Sequence, residues 1–187
     1  ELRAPQASKR FRLSLFTLSA DLRMTDPKVI LVANTSWYLY NFRMPLLRLL
    51  HDHGYSIILV APLDDYTQLL AKEGFVVHPW SVDRRSLNPM AEAHALLHLL
   101  SIYRREKPDL VHHFTIKACL YGTIAAKGAR VYRVINAVTG LGHIFLGKRK
   151  RSWLLRTAIT PVYKAAFKAR RATVVFQNAD DQKTLVQ

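Results

Sequence analysis

The sequence is poor in cysteine, in long apolar runs and in acidic residues over its second half. Its single cysteine, Cys119, excludes an internal disulfide framework and a metal cluster made of cysteines alone, and it fits a reducing compartment. No apolar run approaches the roughly 20 residues that a membrane-spanning helix needs. The His-Glu-x-x-His and Gly-x-Ser-x-Gly patterns are also missing, so we predict neither a metal site nor an α/β-hydrolase nucleophile.

The shortage of acidic residues is concentrated in one region. Between Leu110 and Ala179 there is no Asp or Glu but thirteen Lys and Arg, within a chain of net charge +15. A field of one sign predicts an anionic partner such as lipid headgroups, phosphates or nucleic acid. The alternative is a surface that faces an acidic part of a longer protein. No nucleic-acid-binding motif accompanies the charge, so we expect no nucleic-acid partner.

The first residues differ from the rest of the chain. The segment 1–27 is basic and carries only a short apolar run, and we expect it to be a disordered extension with Met24 as the natural initiator. The alternative is a short helix on a membrane surface. We expect residues 28–187 to form a single domain.

From residue 28 onward, apolar β-branched runs alternate with helical stretches. Strands are predicted at Val29–Ala33, Ile57–Ala61, Phe75–His78, Leu110–Phe114, Val131–Val138 and Thr173–Phe176. Helices are predicted at Met44–His53, Tyr66–Glu73, Pro89–Arg105, Lys117–Lys127 and Ser152–Arg171. This alternation predicts an α/β fold, a Rossmann-like, doubly wound and mainly parallel sheet with helices on both faces.

Helix-terminating and helix-capping residues, and the spacing of apolar residues, support these elements. Gly54 and Gly74 stand where left-handed residues end helices, and Asn88-Pro89 supplies a cap followed by proline in the first turn. In the helix that follows, one stripe is predicted to contact the core, made of Ala93, Leu96, Leu97, Leu100 and Tyr103.

The loop after the first strand lacks glycine. None occurs between Lys28 and His53, which excludes the dinucleotide-binding fingerprint, because side chains there keep the backbone away from a pyrophosphate. The loop offers amides, hydroxyls and aromatic faces instead, which suit a sugar. The predicted substrate contacts are Asn34, Ser36, Asn41 and Arg43. The alternative for Trp37 and Tyr38 is simple packing over the sheet edge.

The fourth strand ends in two histidines. His112 and His113 must face opposite sides of the sheet, so at most one of them contacts a given ligand. We favour His113, which shares a face with Thr115, and we add Lys117 at the next helix start as a partner for phosphate or carboxylate. The alternatives are a histidine that is only hydrogen-bonded locally and an ordinary solvated lysine.

A third strand end carries glycines. The run Thr139-Gly-Leu-Gly-His143 follows the fifth strand, and its two glycines would expose backbone amides to an anion or a close-lying ligand. The predicted contacts here are Asn136, Thr139, Gly140 and Gly142.

The segment 148–171 combines basic and aromatic side chains. On a helix, one third of the circumference would hold Arg149, Arg156, Lys164, Lys168 and Arg171, with Trp153 and Phe167 among them, which is typical of a membrane interface. The predicted membrane contacts are Arg149, Arg151, Trp153, Arg156, Lys164, Phe167, Lys168 and Arg171. The alternative is a solvated basic face. We expect a cytoplasmic protein, peripheral to the inner face of the cytoplasmic membrane.

Three stretches together resemble a known family. Lys28–Arg43, Lys107–Lys117 and Asn136–Phe145 resemble the N-terminal domain of family 4 glycosyltransferases, especially bacterial enzymes of polysaccharide and glycan assembly. The resemblance covers about residues 28–187. It implies half of a GT-B fold that receives a lipid-linked or glycan acceptor, and retaining, metal-free transfer from a nucleotide-sugar. The donor is then a substrate bound mainly by the other half, and no cofactor is expected.

The resemblance has gaps that limit what is carried over. Asn34-Thr-Ser replaces the glycine-rich loop of many relatives, and Thr139 stands where many have a histidine, so no catalytic residue is assigned. The paired-glutamate motif of the donor half does not occur. We therefore expect the C-terminal donor domain to be absent and the fragment alone to be inactive. The alternative is a non-catalytic, membrane-docking subunit of a split two-chain glycosyltransferase.

Overall fold

The computed structural model describes residues 26–83, 86, 88–138 and 172–176. Six strands are present: β1 Lys28–Val32, β2 Ser56–Ala61, β3 Val76–Pro79, β4 Leu110–Phe114, β5 Arg133–Val138 and β6 Ala172–Phe176. Four helices lie between them in the described part: α1 Ser36–Asp52, α2 Asp65–Lys72, α3 Pro89–Glu106 and α4 Ile116–Gly128. Every predicted strand is found within two residues of its predicted bounds.

All neighbouring strands are parallel, in the order β3-β2-β1-β4-β5-β6. Helices α1 and α2 cover one face of the sheet, and α3 and α4 cover the other. The order of the strands reverses between β1 and β4. The chain places β2 and β3 on one side of β1, then returns and places β4, β5 and β6 on its other side. The predicted doubly wound α/β fold is confirmed.

Strand β1 shows why the sheet is buried on both faces. Val29 and Leu31 pack toward α1, whereas Ile30 and Val32 pack toward α3, and all four are almost fully buried. A strand without polar alternation is what two covered faces require. Each such side chain stabilises the fold by about 1.5–3 kcal/mol relative to an exposed position.

The predicted start of α1 was wrong by eight residues. The prediction placed it at Met44 and treated the residues before it as a loop after the first strand. The helix instead begins at Ser36, where the Thr35 side chain accepts a hydrogen bond from the Tyr38 amide at 3.1 Å, and Pro45 lies inside it. The cap therefore decides the start, and the aromatic segment that looked like a loop is helical.

The cap of α3 was predicted correctly, and its predicted core stripe was right in part. Tyr103 is buried and Leu96 and Leu100 pack against the core, as predicted. Asn88 accepts a hydrogen bond from the Met90 amide at 3.0 Å. The fully buried side chains are Ala95, Leu99, Ile102 and Tyr103, while Ala93 and Leu97 face solvent. The apolar residues of this helix offer two overlapping stripes, and only packing against the sheet selects one.

The remaining predictions concern helix ends, one strand start and two segments that the structure does not describe. Gly54 and Gly74 have φ of 76° and 88°, which confirms both left-handed helix ends. Strand β5 begins at Arg133 rather than at Val131. Residues 1–25 of the predicted extension 1–27 and the helix predicted at 152–171 lie outside the described residues. None of the described helices is long and apolar enough to cross a membrane.

Candidate functional site

The reversal of strand order opens a crevice at the carboxyl edge of the sheet. Strands β1 and β4 are paired neighbours, with Val32 opposite His113, yet α1 leaves on one face and α4 on the other. In open parallel sheets ligands bind at such a point, between the two diverging helix starts. The predicted residues Asn34 and Thr115 both lie at this edge, one on each side of the crevice. We call it the switch-point crevice.

Ser36 lies in the crevice wall but is not available to a ligand. Its side chain is fully buried, and its Oγ donates to the Pro62 carbonyl at 2.9 Å and accepts from Thr67 Oγ1 at 3.1 Å. The predicted substrate contact of Ser36 is therefore corrected, because this hydroxyl ties α1 to α2. Asn34 is only partly buried, and no hydrogen bond joins its side chain to another described residue. Its predicted contact stays a prediction.

His113 and Asn136 are also buried, so their predicted ligand contacts are corrected. Both are fully inaccessible, and His113 Nδ1 lies 2.7 Å from Asn136 Oδ1. Because that oxygen can only accept, Nδ1 carries the proton, and Nε2 accepts from the Tyr103 hydroxyl at 2.8 Å. Burial lowers the pKa of His113 to about 4, so the ring is neutral near pH 7. This is a structural polar network.

Lys117 has its three donors occupied by protein groups. Its Nζ donates to the carbonyls of Asp83 at 2.7 Å and Ser86 at 2.8 Å, and to Glu92 Oε1 at 2.6 Å. The other carboxylate oxygen of Glu92 accepts from the Tyr121 hydroxyl. The predicted role of Lys117 as a phosphate or carboxylate partner of a ligand is corrected, because it fastens the segment after β3 to α4.

Thr115 holds an uncommon backbone conformation at the start of α4. Its φ of 72° and ψ of 159° are strained for a β-branched residue, and its buried Oγ1 has no partner among the described residues. Such strain costs about 1–3 kcal/mol and is found most often where function requires a fixed geometry. Its predicted substrate contact stays a prediction, and the strain supports it.

Arg43 reaches back from α1 toward the end of β4. Its guanidinium lies 4.4 Å from the ring centre of Phe114 and 5.1 Å from that of Tyr38, whose hydroxyl accepts from Nη2. In the described part of the chain no carboxylate forms an ion pair with it, and its buried Nε lacks a hydrogen-bond partner. Partly buried cations are normally paired, so this site is open to an anionic group.

His112 lies beside Arg43, although the prediction favoured His113 as the ligand contact. Its ring centre is 4.1 Å from that of Phe114, and its buried Nε2 has no described partner. Burial, with help from His113 and Arg43, lowers the pKa of His112 to about 3. Strand alternation separates the two histidines, but the sequence does not say which of them adjoins α1.

An aromatic pair is exposed on the first turns of α1. The rings of Trp37 and Phe42 meet edge to face at 5.3 Å and are 44% and 54% exposed. Asn41 is exposed beside them and donates from Nδ2 to the Trp37 carbonyl at 2.9 Å. Tyr38 instead packs inward on Phe114, with ring centres 5.9 Å apart. The alternative of simple packing therefore holds for Tyr38, and a sugar contact of Trp37 stays a prediction.

A cleft of about 540 Å³ lies one strand away from the crevice, at the ends of β2 and β3. Pro62 and Leu63, the segment 79–83, and three residues of α3 line it. Its mostly apolar residues gave no recognisable motif in the sequence. Within the described ranges, no group of three or more His, Cys, Asp or Glu side chains is arranged to hold a metal ion.

The remaining predicted contacts lie outside the described residues. They are Thr139, Gly140 and Gly142 after β5, and the membrane contacts Arg149, Arg151, Trp153, Arg156, Lys164, Phe167, Lys168 and Arg171. Strand β5 itself lies next to β4, so the three polar strand ends predicted to share one edge do belong to adjacent parallel strands.

Comparisons with known sequences identify a family. Residues 28–178 match the family model described as Glycosyl transferase 4-like. A curated protein of Campylobacter jejuni, N,N'-diacetylbacillosaminyl-diphospho-undecaprenol alpha-1,3-N-acetylgalactosaminyltransferase, is 30% identical over 130 residues. That match covers 70% of this chain and 35% of the relative, so the chain spans about a third of the relative's length.

Solved structures support the fold alone. MurG of Acinetobacter baumannii aligns with a TM-score of 0.50 at 15% identity, over 65% of this chain and 38% of that protein. A putative UDP-N-acetylglucosamine 2-epimerase of Listeria monocytogenes aligns with a TM-score of 0.59 at 11% identity, over 87% of this chain and 42% of that protein. Because an epimerase is among these neighbours, the fold by itself does not select the activity.

Proposed function

The chain belongs to the glycosyl transferase 4-like family, and on that premise we propose that it forms the acceptor-binding half of a retaining glycosyltransferase. The whole protein would transfer a sugar from a nucleotide-sugar to a lipid-linked glycan acceptor. One observation carries this proposal: in a chain of this family, two polar strand ends flank a switch-point crevice on the neighbouring strands β1 and β4. Polar groups at such a crevice suit a hydroxyl-rich ligand.

The acceptor is proposed to carry a phosphate linkage to a lipid. The curated relative is named for an acceptor with a diphospho-undecaprenol group. In this chain, the Arg43 guanidinium lies near the crevice without a carboxylate partner in the described part, and a phosphate oxygen would complete its hydrogen bonds. Asn34, Asn41 and Thr115 are the other predicted contacts that remain accessible or unpartnered.

The proposed chemistry divides between two halves of the protein. The acceptor hydroxyl oxygen forms a bond to the anomeric carbon of the donor sugar, and the bond from that carbon to the nucleotide diphosphate breaks. The departing diphosphate keeps the electron pair of the broken bond and takes up the proton of the hydroxyl. The residues of this chain would bind the acceptor and hold that hydroxyl in place, which lowers the entropic cost of the reaction. The nucleotide diphosphate would be bound mainly by the other half, and its negative charge stabilised there. We propose no metal or cofactor.

The basic segment 148–171 is proposed to bring the site to its substrate. Its cationic and aromatic side chains would hold the protein at the inner surface of the cytoplasmic membrane, where a lipid-linked acceptor is embedded. The enzyme would thus be peripheral, with an anionic membrane surface as a partner.

The proposal predicts binding without turnover. The 187-residue chain should bind farnesyl diphosphate carrying N,N'-diacetylbacillosamine saturably in isothermal titration calorimetry, because the acceptor crevice lies within it. It should transfer no sugar from UDP-N-acetylgalactosamine to that lipid, because the donor half contributes the nucleotide site. Radiolabelled donor and thin-layer separation of the lipid product would measure transfer.

Two outcomes of these experiments would contradict the proposed function. Sugar transfer by this chain alone would contradict the division into halves. Failure to bind the lipid-linked sugar, while UDP binds saturably, would contradict the acceptor role. Free N,N'-diacetylbacillosamine serves as the control for recognition of the sugar without its lipid diphosphate.

A further inference from the structure

The exposed pair Trp37 and Phe42 is not explained by folding. Large aromatic side chains contribute most to stability when buried, yet these two are 44% and 54% exposed while Tyr38 between them packs inward. They lie on the first two turns of α1, directly after the residues that form one wall of the switch-point crevice. An exposed apolar surface beside the switch-point crevice suits contact with a bound ligand.

The pair is held rigidly. The Trp37 amide donates to Asp64 Oδ2 at 3.1 Å, and the Trp37 carbonyl accepts from Asn41 Nδ2 at 2.9 Å. The Phe42 ring meets the Trp37 ring at an interplanar angle of 77°. The Trp37 backbone is therefore held at its amide and at its carbonyl, and its ring contacts the Phe42 ring. A preorganised aromatic surface binds with little loss of conformational entropy.

The polar groups around the pair indicate which ligand it takes. The Asn41 oxygen and the Asn34 carboxamide stand on either side of Trp37 along the chain, and both side chains are at least partly exposed. Amides donate to and accept from hydroxyl groups, while an indole ring covers the C–H face of a pyranose. The Asp64 carboxylate accepts a hydrogen bond from the Trp37 amide at 3.1 Å and so lies beside the pair, and carboxylates repel anionic lipid headgroups. These groups favour a sugar ring over a membrane surface.

We propose that Trp37, supported by Phe42, forms a stacking platform for the sugar ring of the acceptor, with Asn34 and Asn41 as hydrogen-bonding partners of its hydroxyl or acetamido groups. This inference rests on the proposed function, because it assigns a subsite to the acceptor. It makes Trp37 a positioning residue that orients the accepting hydroxyl.

The test compares two lipids that differ only in the sugar. Calorimetry would give the dissociation constants of the 187-residue chain for farnesyl diphosphate and for farnesyl diphosphate carrying N,N'-diacetylbacillosamine. In the wild-type chain the sugar should tighten binding at least tenfold. In Trp37→Ala that gain should disappear while the affinity for farnesyl diphosphate stays the same. Trp37→Phe should keep most of the gain, which shows that a lost stack rather than misfolding is responsible.

A matched control lies at the opposite edge of the sheet. Tyr132 is an aromatic residue that is 58% exposed just before β5, so Tyr132→Ala removes a similar exposed ring far from the crevice and should leave both dissociation constants unchanged. Circular dichroism at 222 nm would confirm that every variant is folded.

The outcomes separate this inference from the proposed function. If the wild-type chain binds neither lipid, the proposed function fails as well. If it gains affinity from the sugar and Trp37→Ala keeps that gain, or if the sugar brings no gain at all, only the stacking platform is contradicted. If Trp37→Ala weakens binding of both lipids equally, Trp37 contacts the lipid chain or a membrane instead, and the platform is also overturned.

Discussion

Replacement of Gly122 by alanine is expected to lower the free energy of unfolding by about 3 kcal/mol. A Cβ at this position would lie less than 3.0 Å from three atoms of the His113 ring. That ring cannot move aside, because Tyr103 and Asn136 hold its two nitrogens and it is fully buried. The methyl group would therefore either push α4 off the sheet or break the polar network. For a chain of this size the loss corresponds to a fall in Tm of about 6–12 °C.

The same helix provides the control. At Gly128 the nearest heavy atom to an added Cβ is Leu100 Cδ1 at 3.1 Å, the flexible end of a side chain. Gly128→Ala should therefore change the free energy of unfolding by no more than about 1 kcal/mol, the difference in helix propensity between the two residues. Urea denaturation of both variants measures the difference. Equal stabilities would show that α4 does not press on His113 as described.

Acidification from pH 7 to pH 5 is expected to lower the free energy of unfolding by about 4 kcal/mol. Burial depresses the pKa of His112 to about 3 and of His113 to about 4, from 6.5 in the unfolded chain. Below pH 6.5 these two histidines therefore bind protons in the unfolded state but stay neutral in the folded state. The free energy of unfolding then decreases as the pH decreases. Each histidine contributes about 2 kcal/mol over this window, at 1.36 kcal/mol per proton and pH unit.

A single substitution separates the histidine contribution from the carboxylates. Arg105 and Lys28 lower the pKa of Glu106 below 4.5, so its stabilising effect is present at pH 5 and is lost only on further acidification. His112→Gln should halve the decrease between pH 7 and pH 5 to about 2 kcal/mol, because it removes one of the two buried histidines with strongly lowered pKa values. Urea denaturation at half-unit pH intervals would measure this. A wild-type free energy that is the same at pH 7 and pH 5 would contradict the buried neutral histidines.

The fold was predictable because its signals are local. Apolar β-branched runs gave the strands, and glycines and Asn88 gave helix ends, since both depend on residues close in the sequence. What failed required knowledge of packing. The start of α1 depends on one hydrogen bond from the Tyr38 amide to the Thr35 side chain, and the aromatic and polar residues that follow it resemble a loop in the sequence. The buried stripe of α3 depends on where the sheet lies.

The position of the candidate site in the fold was predictable from the sequence, but the accessibility of its side chains was not. Topology alone brings the ends of β1, β4 and β5 to one edge, so the region of the crevice follows from the sequence. Whether a polar side chain there points outward depends on partners that are distant in the chain. Ser36 bonds to Pro62, His113 to Asn136 and Lys117 to Glu92, each more than 20 residues away. No periodicity reports such pairs, and each removed a predicted contact.

The central claim is that an acceptor occupies the switch-point crevice between β1 and β4. Hydrogen–deuterium exchange of the 187-residue chain, with and without farnesyl diphosphate carrying N,N'-diacetylbacillosamine, tests it most directly. We predict slower exchange in peptides that cover residues 33–37 and 114–118, on both walls of the crevice. Protection confined to residues 62–64 and 79–83, around the neighbouring cleft, would contradict the claim.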